Sequence, residues 1–289
     1  VNHVLSCLIV DTVRGDMMRW PLMQENISRA DMRDLVDFLG VEDGLVFPTV
    51  PRLTNGPQVA AFEREFADWL GVKYAVMVNS GASANLITMH ALRELHGAGE
   101  VLVPCITWSS DIMSVLHAGL TPVFVDINPR TLGMNLLSGP VIGSSPRAVF
   151  PTHCMGFDAW LETEGVPLIE DCCEALGATR DGKKLGTFGL ASNFSFYYAH
   201  HLTTIEGGMV CTDDDIFYER LRMLRSHGMV REMSTGAAGM KQDVVNCYPD
   251  LHPEFIFLVP AFNVRSTELN AVIGRNQLKR LDVNNTQRT

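Results

Sequence analysis

Residues 57–85 read PQVAAFEREFADWLGVKYAVMVNSGASAN, and this stretch sets the expected fold. Val59, Phe62, Phe66 and Leu70 recur at helical spacing, giving a helix with one apolar face that Gly71 stops. Tyr74–Val78 is then a short apolar run, the pattern of a buried strand. Asn79–Asn85 turns the chain into a second helix reaching about Leu95. Outward from this unit the alternation continues. Val101–Pro104, Pro122–Ile127, Ala148–Pro151, Pro167–Glu170, Asn193–Tyr197 and Met209–Thr212 read as strands. Ser110–His117, the stretch around Ala159–Glu164, and Ile216–Ser226 read as helices. Apolar strands separated by amphipathic helices predict an α/β protein with a mostly parallel sheet covered by helices on both faces. Such sheets bind ligands at the carboxyl ends of their strands, so the chemistry belongs in the turns that follow them.

Composition narrows the function classes. Of 289 residues, 46% are hydrophobic and 19% charged, which is globular and too apolar for disorder. The 23 basic and 33 acidic residues leave a net charge of −10, which argues against nucleic acid or an anionic membrane as partner. No apolar run approaches the ~18 residues of a membrane span, so a soluble, cytoplasmic protein is expected. The apolar stretch Val4–Val10 lacks the basic flank and the small-residue cleavage site of a signal peptide. Seven cysteines are scattered without a C-x-x-C pair, which reads as reduced thiols rather than a disulfide framework, a zinc site or an iron–sulfur cluster.

Four turns carry chemistry-bearing residues. NSGASAN, between a strand and a helix start, combines Gly81 with the hydroxyls of Ser80 and Ser83; helix-start amides there suit a phosphate, and equally a plain helix cap. It is not a dinucleotide fingerprint, because G-x-G-x-x-G is missing. Asp171 ends the strand PLIE, where a buried carboxylate needs a partner such as a cationic ring nitrogen, or caps a following helix through Cys173–Ala175. Trp108 follows VLVPC and can stack on a flat ring or fill core. Ser195–Gly208, SFYYAHHLTTIEGG, places His200 and His201 side by side, and imidazole titrates where general acid/base work is done.

Together these blocks resemble the DegT/DnrJ/EryC1/StrS sugar aminotransferase family, fold-type I enzymes using pyridoxal phosphate (PLP) on nucleotide-linked keto-sugars. The resemblance runs from about Trp20 to Thr289. It is carried by residues 56–85, the Trp108 turn, FVDINPRTLGMN, IEDCCEALGATRDGKKLGTFG, SFYYAHHLTTIEGG with RMLRSHG after it, and FNVRSTELNAVIGRNQLKRLD. It implies that Gly81, Ala82, Ser83 and Ser195 hold the cofactor phosphate, with Ala82 contributing only its amide where the family commonly has Thr. It further implies that Trp108 stacks on the ring, that Asp171 pairs with the ring nitrogen, and that Glu174 lies near the ring hydroxyl. His153, in PTHCMG, falls in a loop that lines the family's site. The implied organisation is an N-terminal arm and helix (1–55), a PLP-binding large α/β domain (56–230), and a loop and helix (231–289) leading towards a C-terminal small domain that is absent or truncated here. Family sites are completed by a second subunit, so a homodimer is expected.

The departure from the family is at its S-F-x-x-x-K pattern, where the Schiff-base lysine is replaced by His200. None of the five lysines (Lys73, Lys183, Lys184, Lys241, Lys279) falls in that slot, and DGKK reads as a surface hairpin. A His-for-Lys exchange resembles the keto-sugar 3-dehydratases. In that branch the pyridoxamine form (PMP), charged by an amino donor such as glutamate, lets the C3 hydroxyl of a nucleotide-linked 4-keto-6-deoxyhexose leave while the histidine moves protons. One style of that branch uses an iron–sulfur cluster on cysteines after the HG element; this chain has only Cys247 there, so the cluster-free style is expected. A sugar-nucleotide aminotransferase and a non-catalytic PLP- or sugar-nucleotide-binding homologue are the alternatives.

Overall fold

The computed structural model describes residues 26–40, 52–136, 146–159, 161–163 and 165–288; the extension 1–19 lies outside them. The helices are α1 (Arg29–Leu39), α2 (Pro57–Leu70), α3 (Gly81–His96), α4 (Ser109–His117), α5 (Asp215–Arg225), α6 (Ala238–Cys247), α7 (Glu268–Leu278) and α8 (Leu281–Arg288). The strands are β1 (Tyr74–Val78), β2 (Glu100–Pro104), β3 (Thr121–Val125), β4 (Ala148–Val149), β5 (Ile169–Asp171), β6 (Thr179–Arg180), β7 (Lys183–Lys184), β8 (Ala191–Ser195) and β9 (Gly208–Thr212).

Strands β1-β9-β8-β5 and β3-β2-β4 form two ladders, joined by the parallel bridges Val149↔Leu168 and Thr152↔Asp171. The resulting surface runs β3-β2-β4-β5-β8-β9-β1. It is parallel except at β9, which is antiparallel to both neighbours. The β6–β7 hairpin carries Lys183 and Lys184 on its second strand, and its turn is Asp181 and Gly182, both at positive φ.

Side-chain alternation along the strands splits the core. Ala75 and Met77 of β1 face Phe62, Phe66 and Leu70 of α2, whereas Val76 and Val78 face Ala84 and Ile87 of α3 and Leu221 of α5. Both faces are therefore covered, and α3 is sandwiched between the sheet and α4 and α5.

Helix α2 starts at Gly56 and Pro57 with no side-chain cap of its own. Glu268, in the first turn of α7, replaces one. Its carboxylate accepts from the amides of Gly56 (2.9 Å), Gln58 (2.9 Å) and Val59 (3.0 Å). Glu268→Ala strips all three amide donors of their acceptor and should cost about 2 kcal/mol, read as a lower denaturant midpoint with unchanged slope.

Two sequence readings are corrected. The stretch around Ala159–Glu164 is not helical at its described residues; a short 3-10 turn, Cys154–Gly156, precedes it. The Ala159 amide instead donates to the ring Nδ1 of the buried His153 (3.0 Å), which holds the chain in an irregular path. No helix follows Asp171 either. Its Oδ1 accepts from the Cys173 amide at 2.8 Å inside a turn, so Asp171 serves a turn rather than capping a helix.

Candidate active site

The carboxyl ends of β1, β2, β4, β5 and β8 converge with the amino end of β9. Val78 leads into α3 through Asn79 and Ser80, the N-cap of that helix. The Ser80 hydroxyl accepts from the Ser83 amide (3.1 Å) and donates to the Ser83 hydroxyl (3.0 Å). This cap takes the Ser83 amide and leaves those of Gly81 and Ala82 without a protein acceptor among the described residues. A helix cap and an anion on the two remaining amides are therefore compatible on one turn.

Gly81 is required by close approach. A Cβ there would lie 2.6 Å from the Ser195 Cβ and 3.1 Å from the Cys173 Sγ, so the ends of β1, β5 and β8 meet at this point. Gly208 is equally confined, since its Cβ would sit 2.4 Å from the Ser80 carbonyl oxygen. The Ser195 hydroxyl accepts from the Tyr197 amide at 3.3 Å.

Successive residues of β5 point to opposite sides. Asp171 turns to the α3/α4 side and is buried, as is Glu170 on the other. Glu170 Oε1 accepts from the amides of Phe188 (2.8 Å) and Gly189 (3.0 Å); Oε2 accepts from the Gly186 amide (2.8 Å) and pairs with His153 Nε2 (3.1 Å). With the Ala159 amide on Nδ1, the His153 ring is engaged at both nitrogens and acts as a loop anchor. His153, Glu170 and Cys172 have ligand atoms within 4.8 Å of one another. The filled carboxylate, and a Cys172 thiol that burial holds protonated, nevertheless make this trio a structural knot rather than a metal site.

His200 is half-buried on the loop between β8 and β9. Its amide donates to the Tyr197 carbonyl (3.1 Å), and its carbonyl accepts from Asn26 Nδ2 (2.6 Å). Burial pushes its imidazole below the ordinary value; Glu174 and Asp171 act in the opposite direction, and His201 adds to the depression. The net downward shift favours the neutral ring, the form that can take a proton. Glu174 is anchored by the Met155 amide, which donates to its Oε2 at 2.8 Å. Trp108 precedes α4 and is 71% exposed, which excludes a core role and leaves its ring face open. Lysines 73, 183, 184 and 241 bond to Asp215 and to the carbonyls of Thr187, Trp69 and Arg231, respectively.

The structure thus sets Gly81 against Ser195 at the strand ends, places His200 within reach of the charges of Glu174 and Asp171, turns the His153 ring to Glu170 instead, and adds one residue. Asp111, in the first turn of α4, is fully buried beneath the site. Asn85 Nδ2 donates to its Oδ1 at 2.7 Å, Thr152 Oγ1 to its Oδ2 at 2.9 Å, and Thr107 Oγ1 also to Oδ2. In sequence it is indistinguishable from an acid placed to suit a helix N-terminus. Its only other signal is the isolated charge between Trp108 and the largely apolar Ile112–Leu116.

A sheet of this order with a phosphate-sized helix start and a buried strand-end aspartate is the architecture of fold-type I PLP enzymes. Residues 50–289 match the DegT/DnrJ/EryC1/StrS aminotransferase family, and the chain belongs to that PLP-dependent family. It is 36% identical over 282 residues to GDP-4-keto-6-deoxy-D-mannose 3-dehydratase of Yersinia pseudotuberculosis, covering 93% of this chain and 69% of that protein. GDP-perosamine synthase of Caulobacter vibrioides is 34% identical over 235 residues, covering 78% of this chain and 58% of that protein. The solved structure of Escherichia coli GDP-4-keto-6-deoxy-D-mannose-3-dehydratase with bound hydrated PLP aligns with a TM-score of 0.76 at 31% identity, over 92% of this chain and 69% of that one.

The residues present fit PLP. The Gly81 floor leaves no side chain between the free amides and Ser195, Asp171 offers a buried acceptor, and Trp108 offers an open aromatic face.

Proposed function

We propose that this chain carries out PLP/PMP-dependent removal of the C3 hydroxyl from a nucleotide-linked 4-keto-6-deoxyhexose, in deoxysugar assembly, with His200 as acid/base. The observation that carries this reading is the placement of His200 on the loop between β8 and β9, in the slot where the aminotransferase pattern has lysine, with Glu174 and Asp171 near enough for their charges to act on its ring. The similarity to dehydratases supports it.

The amides of Gly81 and Ala82 and the hydroxyls of Ser83 and Ser195 would hold the cofactor phosphate. Trp108 would cover the ring, Asp171 would face the ring nitrogen, and Glu174 the ring hydroxyl. Bound there, the cofactor supplies an electron sink and, in its amine form, an amino group taken from a donor such as glutamate. His200 accepts a proton on its imidazole and delivers one to the departing C3 hydroxyl, which leaves as water. Net, the sugar loses its C3 oxygen, and the donor leaves as its keto acid and ammonia.

Trp108, Met155 and Phe157 are large exposed apolar side chains, and the Met155 amide bonds Glu174, which supports a site completed by a second copy of the chain. Adjacent free thiols at Cys172 and Cys173 support a reducing, cytoplasmic setting.

The test is product identity by NMR after incubation with PLP, glutamate and GDP-4-keto-6-deoxymannose. A 3-deoxy-4-keto sugar supports the proposal. A 4-amino sugar with its C3 hydroxyl retained supports the aminotransferase reading, for which the perosamine synthase similarity speaks. Bound PLP with no product supports a non-catalytic homologue.

The pH profile follows from the direction of the His200 shift. A lowered pKa keeps the base form present to lower pH, so the acid limb of kcat/KM should fall below the ordinary histidine value of 6.5. A limb well above 6.5 would exclude His200 as its source.

A further inference from the structure

We propose that Asp111 is a positioning residue for Asp171: the two buried carboxyls hold one proton between them, carried by Asp111, whose hydrogen bond keeps Asp171 an ionised acceptor. This rests on the reading of Asp171 as partner of the ring nitrogen. Asp111 and Asp171 come from different elements, α4 and β5, and both are buried; Thr152, whose hydroxyl bonds Asp111 Oδ2 at 2.9 Å, is bridged in the strand register to Asp171, which brings the two carboxyls together below the site. Among the described residues no Arg, Lys or His lies within ion-pair distance of either. Every other group on the Asp111 carboxyl is neutral, namely Asn85 from α3, Thr152 beyond β4, and Thr107 ahead of α4.

Two carboxylates in contact, out of water and without a cation, do not both ionise. Burial and the charge of Asp171 push the Asp111 carboxyl well above the usual range, against a smaller opposing pull from the Thr107 and Thr152 hydroxyls. Those hydroxyls lie 2.6 Å apart and can accept as well as donate, so a protonated Asp111 leaves none of them unpaired. The other titratable groups facing the pair are the thiols of Cys154, Cys172 and Cys173, pushed up mainly by burial and also by the charge of Asp171, and His200, whose imidazole burial pushes down. Asp171 is thus the one member of the pair with a negative charge to offer. A neutral donor on that carboxylate leaves it free to act as the acceptor facing the ring-nitrogen position.

The first test needs no cofactor. The Asp111 pKa in the folded chain lies above the ~3.9 of an unfolded aspartate, so the unfolded chain binds fewer protons and stability falls as pH rises through that window. Asp111→Asn, neutral at every pH and still a donor, lacks this loss. The Tm of Asp111→Asn minus that of the parent should therefore grow steadily from about pH 4 upward. A difference that stays constant with pH overturns the shared proton. The second test reads bound PLP by absorbance and fluorescence quenching. Asp111→Asn should retain the parent's affinity and the pH at which the bound spectrum changes, whereas Asp111→Leu should bind about tenfold more weakly and shift that pH. Equal spectra and affinities in Asn and Leu variants overturn the positioning role even where the stability result holds. Asp171→Asn is the separate control. Unchanged PLP affinity there rejects Asp171 as the ring-nitrogen partner and leaves the stability comparison to decide the shared proton by itself.

Discussion

His200→Asn is expected to lower the rate of C3 deoxygenation by about 10²–10⁴-fold, the range a positioned proton-transfer group supplies. PLP affinity should change little. The His200 backbone bonds, to the Tyr197 carbonyl and from Asn26, do not involve the ring, so the loop keeps its path in the variant. Asparagine is polar and close in reach but cannot take up a proton near neutral pH. Selective loss of turnover at retained binding is the signature of a group that acts in the reaction rather than in holding the cofactor. The measurement is 3-deoxy product formed per minute beside a fluorescence titration of PLP. Turnover at the parent's rate would remove His200 from the chemistry.

Asp171→Asn should act on both quantities. The amide oxygen can still accept from Cys173, so the turn after β5 survives, but the negative charge is lost. A buried charge-assisted hydrogen bond is worth about 1.5–3 kcal/mol, which corresponds to a fall in PLP affinity of about 10–100-fold. Turnover should fall further, because an unprotonated ring nitrogen is a poorer electron sink. PLP binding within about twofold of the parent would contradict the assignment, that being well under the tenfold which 1.4 kcal/mol represents.

Much of this architecture was legible because apolar periodicity reports burial directly. Helix α2 and strand β1 follow from Val59, Phe62, Phe66 and Leu70 and from the run Tyr74–Val78. The same periodicity carries no strand direction, so the reversal at β9 could not be read. GMVCT looks like any buried strand, and its direction depends on a helix-free return from β8. The Ala159–Glu164 reading failed where a tertiary bond to His153 outweighed local propensity. Asp171, Ser195, Gly81 and His200 stood out because they fall at strand ends or in an unusual turn. Asp111 did not. A carboxylate in the first turn of a helix is ordinary, and only the arrival of β5 beside α4 makes it exceptional. Glu268 was hidden for the same reason, since the helix start that it serves lies about 210 residues earlier in the chain.

If no lysine of this family member holds the cofactor, borohydride reduction leaves the protein unlabelled. The chain is saturated with PLP, passed over a sizing column with absorbance confirming that the cofactor travels with it, reduced, and weighed intact. The expected result is co-eluting PLP and a protein mass unchanged by reduction. A stoichiometric increase in mass, mapped to one of Lys73, Lys183, Lys184, Lys241 or Lys279, would contradict the account and return the chain to lysine-based aminotransferase chemistry.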